Sequence, residues 1–264
     1  MSGRIFIIAG SDPSGGAGIQ ADIKTVTALG GYAATAITAI TVQNTKGVTA
    51  VHPVPADVIA AQIKAVMEDI GADAVKIGMI GNVETADVIV AMAKEYPDIP
   101  LVLDPVLVAT SGDALAGDGV AAIIKEKLAG LSAVITPNTA EATALTGIDV
   151  TDRDAKIAAG EALVALGASA ALVKGGHLPG DTVEDALVTS DGARIFSNPR
   201  IETTSTHGTG CTLASAIAAG LAQDMALQSA VKRAIDYVHA AIKTAPGYGS
   251  GCGPLNHGHP LDRS

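Results

Sequence analysis

Residues Thr206-His207-Gly208-Thr209-Gly210-Cys211-Thr212 form a polar, glycine-rich loop that runs straight into an alanine-rich stretch, Leu213 to Gly220. Gly208 and Gly210 let the backbone turn sharply and approach a ligand closely. The first amides of the following helix have no internal partner, and with the helix dipole behind them they make an anion site. Cys211 falls at the helix mouth, where a thiol's pKa is lowered, so it is a candidate proton acceptor. The competing interpretation is an ordinary glycine turn with a small buried cysteine.

Four further residues extend this chemistry. Asp104, Asn138, Glu141 and Lys174 fall at or just after the ends of short apolar runs. Phosphoryl transfer needs positive charge on the phosphates, Mg²⁺, preorganised amides and a proton acceptor for the attacking hydroxyl. Lys174 suits the phosphates. Glu141 and Asn138 suit a metal shell, directly or through water. The Gly208–Cys211 loop suits the anion, and Asp104 or Cys211 the proton. Each also has a plain alternative: a strand-end cap for Asp104, a solvated charge for Lys174, a first-turn acid for Glu141.

The elements that must position these residues follow a strand–helix rhythm. Apolar runs over 4–9, 34–42, 74–79, 101–106, 133–138 and 170–177 are predicted strands, with 48–54 pairing back on the second. Amphipathic stretches over 19–29, 56–70, 84–94, 120–128, 155–166 and 227–242 are predicted helices, and further helices open at Thr139 and Leu213. Ser190-Asp191-Gly192 marks a hairpin between 185–189 and 194–197. This is the pattern of an α/β, doubly wound, mostly parallel sheet flanked by helices, read as one domain. The strand pair around 33–54 is a small β lid. Ligands of such sheets bind off the carboxyl ends of the strands, where Asp104, Asn138, Glu141 and Lys174 cluster.

The loop Gly10-Ser11-Asp12-Pro13-Ser14-Gly15-Gly16-Ala17-Gly18 lacks the Gly-Lys-Ser/Thr ending of a Walker loop and the spacing of a dinucleotide fingerprint. It reads as a substrate-contacting turn or a tight strand-to-helix connection. Gln43, at a strand end, could read a heterocycle by donor and acceptor together, or be a solvated turn residue.

Composition narrows the class. Of 264 residues, 48% are hydrophobic and 2% aromatic, so the core is aliphatic, as in a buried parallel sheet. A net charge of −10 with no basic run argues against nucleic acid and anionic membrane surfaces. Two cysteines make neither a disulfide framework nor a zinc pattern. No apolar stretch approaches membrane-spanning length, and the expected location is the cytoplasm.

Taken together, several segments resemble the hydroxymethylpyrimidine/phosphomethylpyrimidine kinases of thiamine biosynthesis, within the ribokinase-like superfamily. They are Ile8 to Asp22, Gln43-Asn44-Thr45, Lys76-Ile77-Gly78-Met79, Leu103-Asp104-Pro105-Val106, Thr136-Pro137-Asn138 with Glu141, Lys174-Gly175-Gly176-His177, Thr206 to Thr212, and the tail Gly249 to His257. The resemblance implies ATP- and Mg²⁺-dependent phosphorylation of 4-amino-5-hydroxymethyl-2-methylpyrimidine and then of its monophosphate. It implies that Gln43 reads the aminopyrimidine edge, with Asp22, Met79, Val106 and the Gly10 turn lining the same pocket. Lys174, Asn138 and Asp104 would serve ATP, with Thr206 and Thr209 in the phosphate loop and Glu141 and Asn138 on the metal side. Gly208 and Gly210 would hold the anionic transition state. Cys211 stands where most sugar kinases of this superfamily carry an Asp base. Dimers are usual among such relatives, so the resemblance implies a homodimer. Thr110 replaces a lysine frequent in the family, so a lysine contact to phosphate from that segment is not expected. The rival readings are a pyridoxal kinase of the same superfamily and a silent nucleotide-binding regulator; the lack of a Cys at Ala109 and Thr110 favours the pyrimidine.

Overall fold

The structure is a computed structural model that describes residues 3–107, 115 and 117–261; Ala109 and Thr110 lie outside them. One nine-stranded sheet runs through it in the order β3-β2-β1-β4-β5-β6-β7-β8-β9. Strands β1 (Arg4–Ser11), β2 (Tyr32–Asn44), β4 (Ala74–Ile77), β5 (Leu101–Leu103), β6 (Val134–Ile135) and β7 (Ala170–Val173) are mutually parallel. Antiparallel partners close both edges: β3 (Gly47–Pro53) against β2, and β8 (Thr182–Thr189) with β9 (Gly192–Pro199) beyond β7.

Strand β1 shows why the sheet is buried on both faces. Ile5, Ile7 and Ala9 enter one core with Val26 of α1 (Gly18–Ala28), Ile217 of α7 (Thr209–Leu221) and Val231 of α8 (Leu227–Lys243). The alternate residues Phe6 and Ile8 enter the other core with Ile59 of α2 (Ala56–Asp69) and Ile89 of α3 (Val83–Glu95). A period of two on a sheet covered on both sides produces a continuous apolar run rather than an alternating one. Each such side chain stabilises the fold by roughly 1.5–3 kcal/mol.

The expected helix over 120–128 begins as α4 (Val120–Ile123) and continues as a widened π turn, Ile124–Leu128. The lid is not a separate piece. Residues Tyr32 to Ile40 of β2 pair with β1, while Ala39 to Asn44 pair with β3. One strand thus starts in the main sheet and carries Gln43 past its end. Helices α5 (Thr139–Thr146) and α6 (Arg153–Ala165) follow β6. Among the described residues no helix is long and apolar enough to cross a membrane.

Candidate active site

Of the parallel strands, β5, β6 and β7 deliver polar residues, Asp104, Thr136 and Lys174, just past their carboxyl ends. After β5 comes Asp104, 2% exposed, whose Oδ1 accepts a hydrogen bond from the Lys174 ammonium (3.0 Å) at the end of β7. Thr136 Oγ1, after β6, also donates to Asp104 Oδ1 at 3.3 Å. Lys174 Nζ lies 4.0 Å from Glu141 Oε2. Burial opposes the charged form of Lys174, but Asp104 and Glu141 more than offset it, so Lys174 titrates above the usual lysine range. The turn behind it is pinned, because the Gly175 N–H donates to Asp185 Oδ1 at 2.8 Å.

Asn138 and Glu141 form a capping box on α5. The Glu141 N–H donates to Asn138 Oδ1 (2.9 Å), and the Asn138 N–H donates to Glu141 Oε2 (2.7 Å). Such a cap stabilises a helix by about 1 kcal/mol. It also holds both side chains rigid at the cavity wall. Burial, reinforced by Asp104 and opposed by Lys174, pushes the Glu141 carboxyl up to about 7.

Helix α7 starts at Thr209, with Gly208 at its N-cap in the left-handed region (φ 79°). This is four residues earlier than the sequence predicts, so Cys211 sits inside the first turn. A Cβ at Gly208 would run into the Gly16 carbonyl oxygen. The anion loop is therefore packed backbone to backbone on the Gly10–Gly18 loop. His207 locks the two together: its Nε2 lies 2.8 Å from Asp12 Oδ2, and both side chains are buried. Asp12 also accepts the N–H groups of Ser14 and Ala17, each at 2.8 Å. A Cβ built at Gly210 would lie 3.1 Å from Lys174 Nζ and 3.4 Å from Asp104 Oδ2, so the ion pair faces the open end of α7.

The carboxyl-terminal tail straps this arrangement. The Cys252 N–H donates to the Thr45 carbonyl (2.8 Å), the Gly253 N–H to that of Thr204 (3.0 Å), and the His207 N–H to that of Gly253 (3.0 Å). His257 Nε2 then pairs with Thr212 Oγ1 at 3.0 Å.

Between these elements lies a cavity of about 620 Å³. It begins at Gly10, Gln43 and Met79, passes Asp104, Val106 and Cys211, and continues by Asn138, Glu141, Lys174, Thr206, Gly208, Thr209 and Gly210. It ends against His177, Arg200 and the apolar face of α8, with Ile235, Val238 and Ile242. Met79 is fixed by Thr38, whose hydroxyl donates to the Met79 carbonyl at 2.6 Å. Gln43 is oriented by Thr41, whose hydroxyl donates to Gln43 Oε1 at 3.0 Å and leaves the amide N–H₂ free to donate.

Two expectations need correction. Asp22 does not line the cavity; it is fully buried beneath it, paired with Lys76 Nζ at 2.9 Å and accepting from Ser215 Oγ at 2.7 Å. A carboxylate on an otherwise apolar helix face turned to the nearest buried cation. Nor is the Cys211 thiol lowered. Burial pushes it up to about 11, with Asp22 and Asp104 adding to the rise while Lys76 and the Gly18 N–H oppose it. The helix terminus acts only within a fraction of a charge, and desolvation beside two carboxylates outweighs it.

Roles for Asp12, His207 and Arg200 were invisible in sequence. The His207–Asp12 pair joins residues 195 apart. The Arg200 guanidinium donates to the carbonyls of Gly176 (3.0 Å) and Gly180 (2.6 Å), stapling the loop after Lys174. A polar residue in a loop carries no sign of the distant loop it will hold.

As to Mg²⁺, no group of three or more His, Cys, Asp or Glu forms a metal cage among the described residues. What is present, the buried Glu141 carboxylate with the Asn138 amide oxygen, and Asp104 already paired with Lys174, fits an ion held mainly by nucleotide phosphates and water, with Glu141 and Asn138 as outer partners.

Comparison with known proteins agrees with this geometry. The chain is 50% identical over 263 residues to the hydroxymethylpyrimidine/phosphomethylpyrimidine kinase of Rhizobium meliloti, covering 98% of each. It is 47% identical to the thiamine biosynthesis bifunctional protein ThiED of Geobacter sulfurreducens, of which it spans only 52%. Among solved structures, the phosphomethylpyrimidine kinase of Clostridium difficile superposes with a TM-score of 0.80 at 41% identity, over 90% of this chain and 99% of that one. The ADP complex of Bacillus subtilis pyridoxal kinase gives 0.89 at 34% identity, over 97% and 98%. With the sequence also matching the family profile across residues 12–256, the chain belongs to the phosphomethylpyrimidine kinase family.

Proposed function

We propose that the protein transfers the γ-phosphoryl group of ATP to the hydroxymethyl oxygen of 4-amino-5-hydroxymethyl-2-methylpyrimidine, and then a second one to the resulting monophosphate. The observation that carries this reading is a single cavity lined both by an oriented amide, Gln43, and by a phosphate-type site, Lys174 with the α7 amides. The Gln43 amide donates to a ring nitrogen while its carbonyl oxygen accepts from the exocyclic amine. Met79 and Val106 form the pocket wall with the Gly10 turn. Lys174, held by Asp104, neutralises the phosphates, and Thr206 and Thr209 flank them. The amides of Gly208 to Cys211 lie where charge develops on the transferring group. Cys211 takes the hydroxyl proton as the oxygen attacks only in its thiolate form, which burial keeps a minor fraction at neutral pH. Glu141 and Asn138 would hold Mg²⁺ as outer partners, and the ion would supply charge neutralisation on the phosphates.

Location in the cytoplasm and assembly as a homodimer, with no nucleic acid or membrane partner, belong to the same reading, as does action as one catalytic domain. Pyridoxal kinase activity is the second reading, favoured by the fold shared with the Bacillus and Staphylococcus aureus pyridoxal kinases at a TM-score of 0.89. Product masses decide between them, from purified protein with MgATP and either the hydroxymethylpyrimidine or pyridoxal. The pyrimidine diphosphate is the expected product. Turnover of pyridoxal alone would transfer the assignment, and binding without turnover would leave a regulator.

A further inference from the structure

Asp22 and Lys76 are both wholly buried, and neither lines the cavity. A buried pair of this kind is weak evidence for stability, since desolvation consumes most of the Coulombic attraction. Its position gives it another use. Helices α1 and α7 meet along two rungs one helical turn apart. The first rung is set by position: Gly18 opens α1 and Cys211 lies in the first turn of α7. On the second, four residues further along each helix, Ser215 Oγ donates to Asp22 Oδ1. Lys76 closes that second rung from β4, with both Asp22 oxygens within 3.0 Å of its Nζ. The lysine is fully buried, and its nitrogen occupies space that a Cβ at the neighbouring Gly78 would need, at 2.7 Å. The ion pair is thus built in one turn behind the thiol, on the face that α7 turns toward α1 and the sheet.

We propose that Asp22 and Lys76 are positioning residues that set the charge balance at Cys211, the lysine favouring its thiolate and the aspartate restraining it. The inference rests on the reading of Cys211 as proton acceptor. The charged groups acting on the sulfur are Lys76 from β4, Asp22 from α1 and Asp104 after β5, while Lys174 after β7 interacts with it in turn. Lys76 acts on it more strongly than Asp22. The pair therefore leaves a net pull toward the thiolate without exposing a cation to the substrate.

The test follows the pH dependence of Cys211 alkylation by iodoacetamide in a Cys252→Ser background, with the ultraviolet absorbance of the thiolate as a second readout. Asp22→Asn keeps the shape and leaves Lys76 unopposed. Its titration midpoint should fall by about one pH unit, giving about tenfold faster alkylation at a fixed pH below the midpoint. Lys76→Met should move the midpoint up by a similar amount. The double variant Asp22→Leu with Lys76→Met removes both charges, and apolar replacement of a buried pair is tolerated. Its midpoint should lie above the parent's, and it decides the matter alone if the single variants do not fold. A midpoint that stays put in the double variant, or that rises in Asp22→Asn, overturns the proposal. If the midpoints shift as expected while the pH profile of turnover does not follow, the charge balance stands and the proton-acceptor role of Cys211 fails.

Discussion

Gly210→Ala separates stability from catalysis by sign. Gly210 lies in the first turn of α7 and is absent from the glycines with positive φ, so alanine meets no backbone strain there. Replacing a helical glycine by alanine stabilises by roughly 0.5–1 kcal/mol. For a chain of this size that is a rise in Tm of about 2–4 °C per kcal/mol. The added methyl, however, would sit 3.1 Å from Lys174 Nζ and 3.4 Å from Asp104 Oδ2. The first distance is tighter than ordinary contact, so the ammonium must retreat by a few tenths of an ångström. The methyl also takes the space in which a phosphate oxygen would meet both the α7 amides and Lys174. Displacing a transferring group by about 1 Å costs about 10²-fold in rate. The expected result is a Tm equal to or above the parent's with kcat/KM for ATP down by about two orders of magnitude, read by scanning calorimetry and a coupled ADP assay. Full activity at unchanged Tm would refute the placement of phosphate at the mouth of α7.

Gln43→Ala should raise KM for the pyrimidine about tenfold or more, the cost of about 1.5 kcal/mol for a lost recognition hydrogen bond, while KM for ATP holds; steady-state kinetics on both substrates checks this. Cys211→Ser should slow the first phosphorylation far more than the second. The monophosphate attacks through an oxygen already ionised near pH 7, so no proton need be taken; separate assays of the two steps compare them. Glu141, held near pH 7 by burial, should release a proton when MgATP brings a cation to it at pH 6–7. Its folded-state pKa lies above the ordinary carboxylate value, so ionising it becomes easier as pH rises through 7, and MgATP should bind more tightly in that direction. Calorimetry in buffers of different ionisation enthalpy reads the release, and Glu141→Gln should abolish it.

The features legible in the sequence are those that depend on local pattern. Runs such as Ile5 to Ala9 are apolar throughout because both faces of the sheet are covered, and that alone marks a buried parallel strand. The strand ends then follow, and with them Asp104, Asn138 and Lys174. What depended on distant partners was not legible. The start of α7 at Thr209 was hidden because glycine and threonine are poor helix formers; the Gly16 backbone and the tail hold that turn in place. Asp22 is expected in the pocket from the family resemblance alone, yet α1 turns it inward. Lys76 did leave a trace: a single charge inside Ala74-Val75-Lys76-Ile77 has to find a buried counter-ion. The Cys211 shift could not be had from pattern, since it comes first from burial and then from carboxylates on two other elements.

The tail that ties Thr45 to Cys252 has a consequence for synthesis. Ribosomes add about 5–20 residues per second, so roughly 10–40 s separate the appearance of Thr45 from that of Cys252. During that interval β1, β2 and the first helices can emerge and collapse. The loop at Thr204–His207, however, has nothing to bridge it to the turn at Thr45. The tie between these two loops therefore forms only after residues 252–257 leave the exit tunnel, and ATP turnover is expected to begin no earlier.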